Sequence, residues 1–519
     1  MSTPMLPLLS TPAEAAAWLR AHGSRLQTDS RRLEAGDLFV AWPGAAHDAR
    51  VHVLAALEHG AAACLVEADG MDAFDFARPA AADVAAGRVA AYAGLKSATG
   101  PIAAAFYDTP SCRLDVVAVT GTNGKTTSAW WLAQALSHGA RGCGLVGTLG
   151  VGRFVGGQAE LRYTGMTTPD PVLLQRELHH FVDEGLGACV MEASSIGIAE
   201  HRLDGTAIRV AVFTNFTQDH LDYHGTMEAY WQAKRALFDW PGLQAAVVNL
   251  DDVHGTLLAQ ELQGGALDLW SLSCLPPAAG VAPARLQASG VRYGDHGLAF
   301  EVTEAGGGTA SMSTATIGQY NVSNLLGVLG TLRALGVPLA EAARACEGLL
   351  PVPGRMECLT LPGQPLVAVD FAHTPDAIDK ALEALRPLAR QRGGRLWCVF
   401  GCGGDRDPVK RPLMAQAAER QADRVVVTSD NPRSEAPERI VAQVVAGLAA
   451  PAQACVEVDR ARAIALTIAG ADRADVVLVA GKGHEDYQEI HGVRTPFKDQ
   501  EHVRMALQNR AAARAEGVA

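Results

Sequence analysis

The chain has no uninterrupted apolar run approaching the roughly 20 residues that a bilayer-spanning helix needs, so a membrane protein is not expected. Its first residues lack a cationic stretch leading into an apolar core and a cleavage site, because Pro4, Pro7 and Glu14 interrupt the segment. Positive charge is in deficit: 44 Lys and Arg face 56 Asp and Glu, for a formal net charge of −12. Without a broad basic footprint, neither nucleic acid nor an anionic membrane is an expected partner, and any phosphate site must be built locally. The ten cysteines form no CxxC pair, Cys398 and Cys402 being the nearest approach. Scattered thiols in so large a chain fit buried side chains in a reducing compartment, so a cytoplasmic location is expected.

What remains is a 519-residue chain, 48% hydrophobic and 19% charged, the balance of a globular protein of roughly three domains. The first segment, to about residue 112, holds an Ala-rich stretch and one plausible strand, Asp37-Leu38-Phe39-Val40-Ala41. Val116-Val117-Ala118-Val119 then runs into a Gly-rich turn followed by Ala129, Leu132, Ala133 and Leu136 at helical spacing, which predicts strand, loop and helix. Further strands are expected at Cys189-Val190-Met191, Val210-Ala211-Val212-Phe213 and Ala246-Val247-Val248. Between about 262 and 315, glycine and proline pairs punctuate short alternating runs, which reads as an antiparallel excursion or loop-rich insert. A helix is expected to restart near Asn321 and another to end near Leu349, before a linker at Pro351-Val352-Pro353-Gly354.

Beyond the linker, runs at Leu366–Val369, Leu396–Phe400, Val425–Val427 and Val476–Val479 alternate with helical stretches such as Thr374 to Leu385 and Pro437 to Leu448. That alternation predicts a parallel, doubly wound sheet. The expected organisation is therefore α/β in three domains, at 1–112, 113–350 and 351–519, the last Rossmann-like.

Thr120-Gly121-Thr122-Asn123-Gly124-Lys125-Thr126-Thr127 lies where strand gives way to helix. Glycines there let backbone N–H groups turn toward an anion, and the helix N-terminus adds partial positive charge. Lys125 can reach the β and γ phosphates of a nucleotide, and the Thr126 hydroxyl can ligate Mg²⁺. The full GxxxxGK[ST] spacing is absent because Val119 occupies the first glycine position. Gly-Thr-Asn-Gly-Lys-Thr-Thr after a strand resembles the loop of the Mur ligase superfamily, which includes folylpolyglutamate synthases.

Met191-Glu192-Ala193-Ser194-Ser195 and Asn215-Phe216-Thr217-Gln218-Asp219-His220-Leu221-Asp222-Tyr223-His224 follow two further strands. Loops at the carboxyl ends of parallel strands share one crevice, so Glu192 and His220 could meet near Thr126. Both segments are similar to elements of that family, as is Tyr230-Trp231-Gln232-Ala233-Lys234. The resemblance implies a central ATP-binding domain in which Lys125, Glu192, His220 and a carbamylated Lys234 are catalytic. It makes Thr126, Glu192, His220 and Lys234 the Mg²⁺ ligands. It further implies that Gly121, Thr122, Asn123, Gly124, Lys125, Thr126 and Thr127 hold ATP, together with Asn321, Arg355, Asp370 and His373.

Thr28-Asp29-Ser30-Arg31 and Ala35-Gly36-Asp37-Leu38-Phe39-Val40-Ala41 resemble the uridine-diphosphate-binding domain of the family members that add the third peptide residue. By that match Thr28, Ser30, Ala45, Ala46 and His47 lie at the nucleotide. Thr167, Thr168, Ser194, Glu200 and Arg202 would hold the muramoyl dipeptide, where Arg202 offers a fork to a carboxylate or phosphate. Ile196 stands where the family commonly has histidine, and Glu200 where it commonly has glutamine.

Ser429-Asp430-Asn431-Pro432-Arg433-Ser434-Glu435 resembles the signature of the members that add meso-diaminopimelate. A planar guanidinium binds a second carboxylate bidentately, whereas facing lysine it would stand beside an ammonium. The resemblance extends to Arg406, Asp430, Asn431, Pro432, Arg433, Gly481 and Glu485 as the diaminopimelate site, Glu485 suiting an ammonium. The implied reaction activates the D-glutamyl carboxylate of UDP-N-acetylmuramoyl-L-alanyl-D-glutamate with ATP and couples it to diaminopimelate, on a monomer. The alternatives are a lysine-adding or folate-polyglutamylating relative, an NAD(P)-dependent oxidoreductase suggested by Gly401-Cys402-Gly403-Gly404, and a non-catalytic nucleotide switch.

Overall fold

A computed structural model describes residues 6–44, 47–77, 87–138, 142–277, 283–294, 297–314, 316–318 and 320–517. Among the described residues three large sheets form, and none shares a strand across residue 112 or 350. In the first, five parallel strands run in the order Leu8–Leu9, Val89–Tyr92, Ala63–Glu67, Leu38–Ala41 and Leu26–Gln27. The sequence pattern pointed to one of these. Two of the others are only two residues long, Val89–Tyr92 is half alanine, a poor strand former, and Ala63–Glu67 is a short buried run without polar alternation.

The central sheet has eleven strands, with Asp115–Thr120 lying between Val210–Phe213 and Ala188–Glu192, all parallel. Alternate residues of the middle strand face opposite layers: Val117 and Val119 pack with Leu132 and Leu325, while Val116 and Ala118 pack with Leu174 and Tyr230. A strand buried on both faces reads as a continuous apolar run, which is why it was legible. The expected excursion at 262–315 continues the same sheet: Asp268–Ser273 joins in parallel, then Leu286–Gly294, Gly297–Glu304 and Thr309–Thr314 follow, the last two pairings antiparallel. On the far edge a hairpin of Gly150–Val155 and Gln158–Arg162 turns at Gly156 and Gly157, both at positive φ.

The third sheet is parallel and doubly wound except for Glu357–Leu359, which pairs antiparallel at its edge. The helix expected from Thr374 to Leu385 runs Pro375–Arg392, past Pro387, because Ala381, Leu382, Leu385 and Ala389 continue one buried face. Among the described residues, no helix is long and apolar enough to cross a membrane.

Candidate active site

The register sets the site. Glu192 pairs with Val119 and Phe213 with Thr120, so three strands end level around the glycine-rich loop. Gly121 has φ 144° and Gly124 has φ 87°, and a Cβ on Gly121 would lie 1.8 Å from Thr214 Oγ1. Only glycine permits that approach. The segment after Val210–Phe213 braces the loop: Thr122 N–H donates to Asn215 O at 2.8 Å and Asn123 N–H to Asn215 Oδ1 at 2.9 Å. Thr214 Oγ1 donates to Asn123 O at 2.6 Å.

Two lysine side chains converge on one carbonyl. Lys125 Nζ donates to Gly121 O at 2.8 Å and Thr122 O at 2.9 Å, and the buried Lys234 Nζ donates to Gly121 O at 2.7 Å. Burial pushes the pKa of both down, and the neighbouring Lys125 charge drives Lys234 further, well below the ordinary lysine value. Glu192 is held by three donors: Thr126 Oγ1 at 2.9 Å, Thr148 N at 2.7 Å and Thr148 Oγ1 at 3.1 Å. Arg355 donates from Nη2 to Thr126 Oγ1 at 3.1 Å and lies over the Phe371 ring at 4.4 Å.

The C-terminal domain closes the other side. Asp219 Oδ2 is 3.5 Å from His220 Nε2 and 4.0 Å from His373 Nε2, and its Oδ1 is 3.9 Å from Lys410 Nζ. Burial opposes its charge, but His220, His373 and Lys410 outweigh that and hold it at about 2. His220 and His373 are pushed down to about 4, chiefly by burial. Asp370 accepts the Met356 N–H at 2.7 Å, and burial raises its pKa. Asn321 Nδ2 donates to Ile317 O at 2.7 Å, which fixes its orientation on the cavity wall.

Glu192 and Thr126 offer the hard oxygen donors that Mg²⁺ prefers. Among the described residues no three His, Cys, Asp or Glu side chains form a ready cation cluster, so bound Mg²⁺ would need further oxygens. Lys234 fits that need chemically, because burial lowers its pKa and so favours the unprotonated amine, the form that reacts with CO₂ to give a carbamate.

Thr168 Oγ1 donates to Glu192 O at 2.7 Å and lies 3.0 Å from Ser194 Oγ, which caps the short helix Ser195–Ala199 through Gly197 N at 3.0 Å. Thr148 and Thr167 hydroxyls meet at 3.0 Å, and Arg202 Nη1 donates to Thr168 O at 3.0 Å. Glu200 does not line the cavity; it pairs with Lys96 at 2.8 Å. Thr28, Ser30 and His47 stand apart on the N-terminal domain, with His47 Nε2 2.8 Å from His52 Nε2. Ala45 and Ala46 lie outside the described residues.

At the far wall Arg433 has φ 53° and donates from Nη1 to Gly404 O at 2.6 Å. A bulky residue at positive φ is strained and persists where surroundings over-determine it. Asn431 Nδ2 donates to Glu485 Oε2 at 2.8 Å, and Lys482 Nζ lies 3.0 Å from Asn431 Oδ1 and 3.3 Å from Glu485 Oε2. Burial and the Asp430 charge raise Glu485 to about 7. A Cβ on Gly481 would lie 2.3 Å from Asp430 Oδ2, so glycine is required there, and the Pro432 carbonyl packs as closely on Gly404. Arg406 is exposed on the same wall.

One cavity of about 1370 Å³ joins these groups, lined by the loop, Glu192, His220, Arg202, Arg355 and His373 on one side and by Arg406, Asp430, Arg433 and Glu485 on the other. Sequence reasoning missed Thr148, Asp219, Lys410 and Lys482 as working side chains. Thr148 follows the strand Cys143–Gly147, whose carboxyl end was a findable signal; Lys410 carries no local one.

The Mur ligase middle domain family matches residues 119–332, and the Mur ligase glutamate ligase domain family matches residues 354–483. A UDP-N-acetylmuramoyl-L-alanyl-D-glutamate--2,6-diaminopimelate ligase of Acidovorax sp. (strain JS42) is 58% identical over 513 residues, covering 97% of this chain and 99% of that one. A solved structure of a ligase of the same name superposes with a TM-score of 0.63 at 34% identity, covering 94% of this chain and 95% of that one. MurF ligase from Thermotoga maritima, solved with ADP, shares the fold at a TM-score of 0.63 and 18% identity, over 96% of this chain and 99% of that one.

Proposed function

Because this chain belongs to the Mur ligase family, we propose that it is the ATP-dependent ligase that joins meso-diaminopimelate to UDP-N-acetylmuramoyl-L-alanyl-D-glutamate in peptidoglycan precursor synthesis. The observation that carries this reading is the single cavity, which has a phosphate loop at one wall and Arg433 with Glu485 at the other. Domains 1–112, 113–350 and 351–519 would take the uridine nucleotide, ATP and the amino acid in turn. The enzyme acts as a monomer in the cytoplasm, where ATP is supplied.

In this reading, loop amides around Gly124 and the Lys125 ammonium hold the ATP phosphates, with Asn321, Arg355, Asp370 and His373 around the nucleotide. Thr167, Thr168, Ser194 and Arg202 hold the dipeptide so that its D-glutamyl γ-carboxylate faces the γ-phosphate in line. Its oxygen attacks phosphorus, ADP leaves, and an acyl phosphate remains. Arg406 and Arg433 grip the two carboxylates of diaminopimelate, and Glu485 holds an ammonium, which presents the reacting amine to the acyl carbonyl. The amine attacks, the tetrahedral intermediate collapses and phosphate departs. Thr126, Glu192, His220 and carbamylated Lys234 would hold Mg²⁺, which when bound neutralises charge on the transferring phosphoryl group.

ADP release with the UDP-linked dipeptide, offering diaminopimelate and lysine in parallel, tests the reading. Turnover with diaminopimelate at least about 100-fold better than with lysine is expected, because lysine brings Arg433 no carboxylate and sets an ammonium beside it. Equal use of lysine, turnover of a folate instead, or no Mg²⁺·ATP binding by calorimetry would overturn it.

A further inference from the structure

The segment beyond Ser194 leaves the cavity and meets the N-terminal domain. There the helix Leu95–Phe106 starts after Gly94, and Glu67 satisfies its first amides, accepting Gly94 N–H at 3.0 Å and Leu95 N–H at 2.7 Å. Lys96 sits in the first turn, where the helix dipole disfavours a cation. Its ammonium reaches out of its own domain to Glu200 Oε2 at 2.8 Å, and the other Glu200 oxygen accepts the Tyr223 hydroxyl. The pair is partly shielded, with side chains 36% and 24% exposed. One turn along the same helix, a Cβ on Gly100 would lie 2.1 Å from Asp204 O, and one on Gly205 would lie 2.7 Å from Gly100 C. Main chain therefore rests on main chain beside the ion pair. Arg202, two residues from Glu200, lines the cavity and binds Thr168 O.

We propose that Lys96 is a positioning residue: through Glu200 it locks the N-terminal domain to the segment carrying Arg202. A substrate anchored at one end on the N-terminal domain then presents its other end to the phosphate loop. This rests on the acceptor reading above, because only a substrate that spans both domains gains from their fixed angle. Lys96 lies outside the cavity, so its loss weakens binding of the long substrate and leaves the chemistry in place.

The test uses the full chain as wild type, Lys96→Arg, Lys96→Ala, Lys96→Glu, Glu200→Lys and the double swap Lys96→Glu/Glu200→Lys. The expected KM for the UDP-linked dipeptide rises about threefold in Lys96→Ala and about tenfold in Lys96→Glu, and stays near wild type in Lys96→Arg. In the three Lys96 single variants KM for ATP and kcat stay within about twofold, which a general loss of folded protein would not give. Unchanged dipeptide KM in Lys96→Glu, or an equal rise in KM for ATP, overturns the proposal. Melting temperatures of the same variants read the lock without any substrate. A double swap more stable than the two single changes predict supports it; additivity overturns it. A wild type that ligates another acceptor fails the acceptor reading alone, and the melting cycle still decides the lock.

Discussion

The two domain boundaries of this chain are built on opposite plans. Between the N-terminal and central domains, backbone touches backbone at Gly100 and Gly205, and Lys96 meets Glu200 at 2.8 Å. Between the central and C-terminal domains, a cavity of about 1370 Å³ intervenes; Asp219 faces Lys410 and His373 across 3.9 and 4.0 Å, and side-chain hydrogen bonds from Arg355 to Thr126 at 3.1 Å and from Asn123 to Asp376 at 3.0 Å cross beside it. Close packing resists rotation because each small displacement pulls many atoms out of van der Waals range, whereas a few polar side-chain contacts beside a cavity can be exchanged for contacts to water or ligand. The first boundary suits a fixed anchor; the second suits a jaw that shuts on ATP and the incoming amino acid.

Breaking this contrast starts at the jaw. Lys125→Ala should cut ligation about 1000-fold, roughly 4 kcal/mol of barrier, with no lower melting temperature, since the removed cation is half-buried and its charge is disfavoured by its surroundings. At the anchor, Gly205→Val should have the reverse signature. Its φ of 79° and the Gly100 backbone leave no room for a side chain, so calorimetry should show about 2–4 kcal/mol less stability in the first unfolding transition.

Smaller effects sharpen the picture on the jaw's far wall. Arg433→Ala should raise KM for diaminopimelate about 30-fold while kcat changes little, as removing a charge-assisted hydrogen bond worth about 2 kcal/mol implies. Glu485 should make that KM depend on pH. With a pKa near 7 in the free protein, Glu485 gains a proton as pH falls below that value and its attraction for an ammonium disappears. KM should therefore rise by up to about tenfold per pH unit below 7, and the slope should vanish in Glu485→Gln. The stability sign is opposite to the usual carboxylate. The folded chain binds this proton more tightly than the unfolded chain, so this group's contribution falls as pH rises from about 4.5 to about 7. Glu485→Gln should melt higher than wild type at pH 8; a lower melting temperature would show that Lys482 and Asn431 need the carboxylate.

Legibility in the sequence followed the range of the interaction. The phosphate loop was readable because its glycines, Lys125 and Thr126 act within one strand–loop–helix unit, and Glu192 because it ends a continuous apolar strand. The motif order brought Arg433, Asn431 and Glu485 together, and the third sheet sets them side by side. Lys410 and Asp219 were not readable as partners, since nothing in either neighbourhood announces a contact between domains 191 residues apart in the chain. Glu200 reads from its motif as a substrate contact, and nothing near it in the chain signals its pairing with Lys96. Most of the first sheet was hidden because strands of two to five residues without polar alternation carry almost no periodic signal.

The Gly121 carbonyl, which takes hydrogen bonds from both Lys125 and Lys234, has a consequence for how the nucleotide arrives. Accepting two hydrogen bonds occupies both lone pairs of that oxygen but removes none of the charge of the Lys125 ammonium. A phosphate oxygen, being charged, is the stronger acceptor, so nucleotide entry would exchange a hydrogen bond to the loop's own backbone for a charge-assisted one.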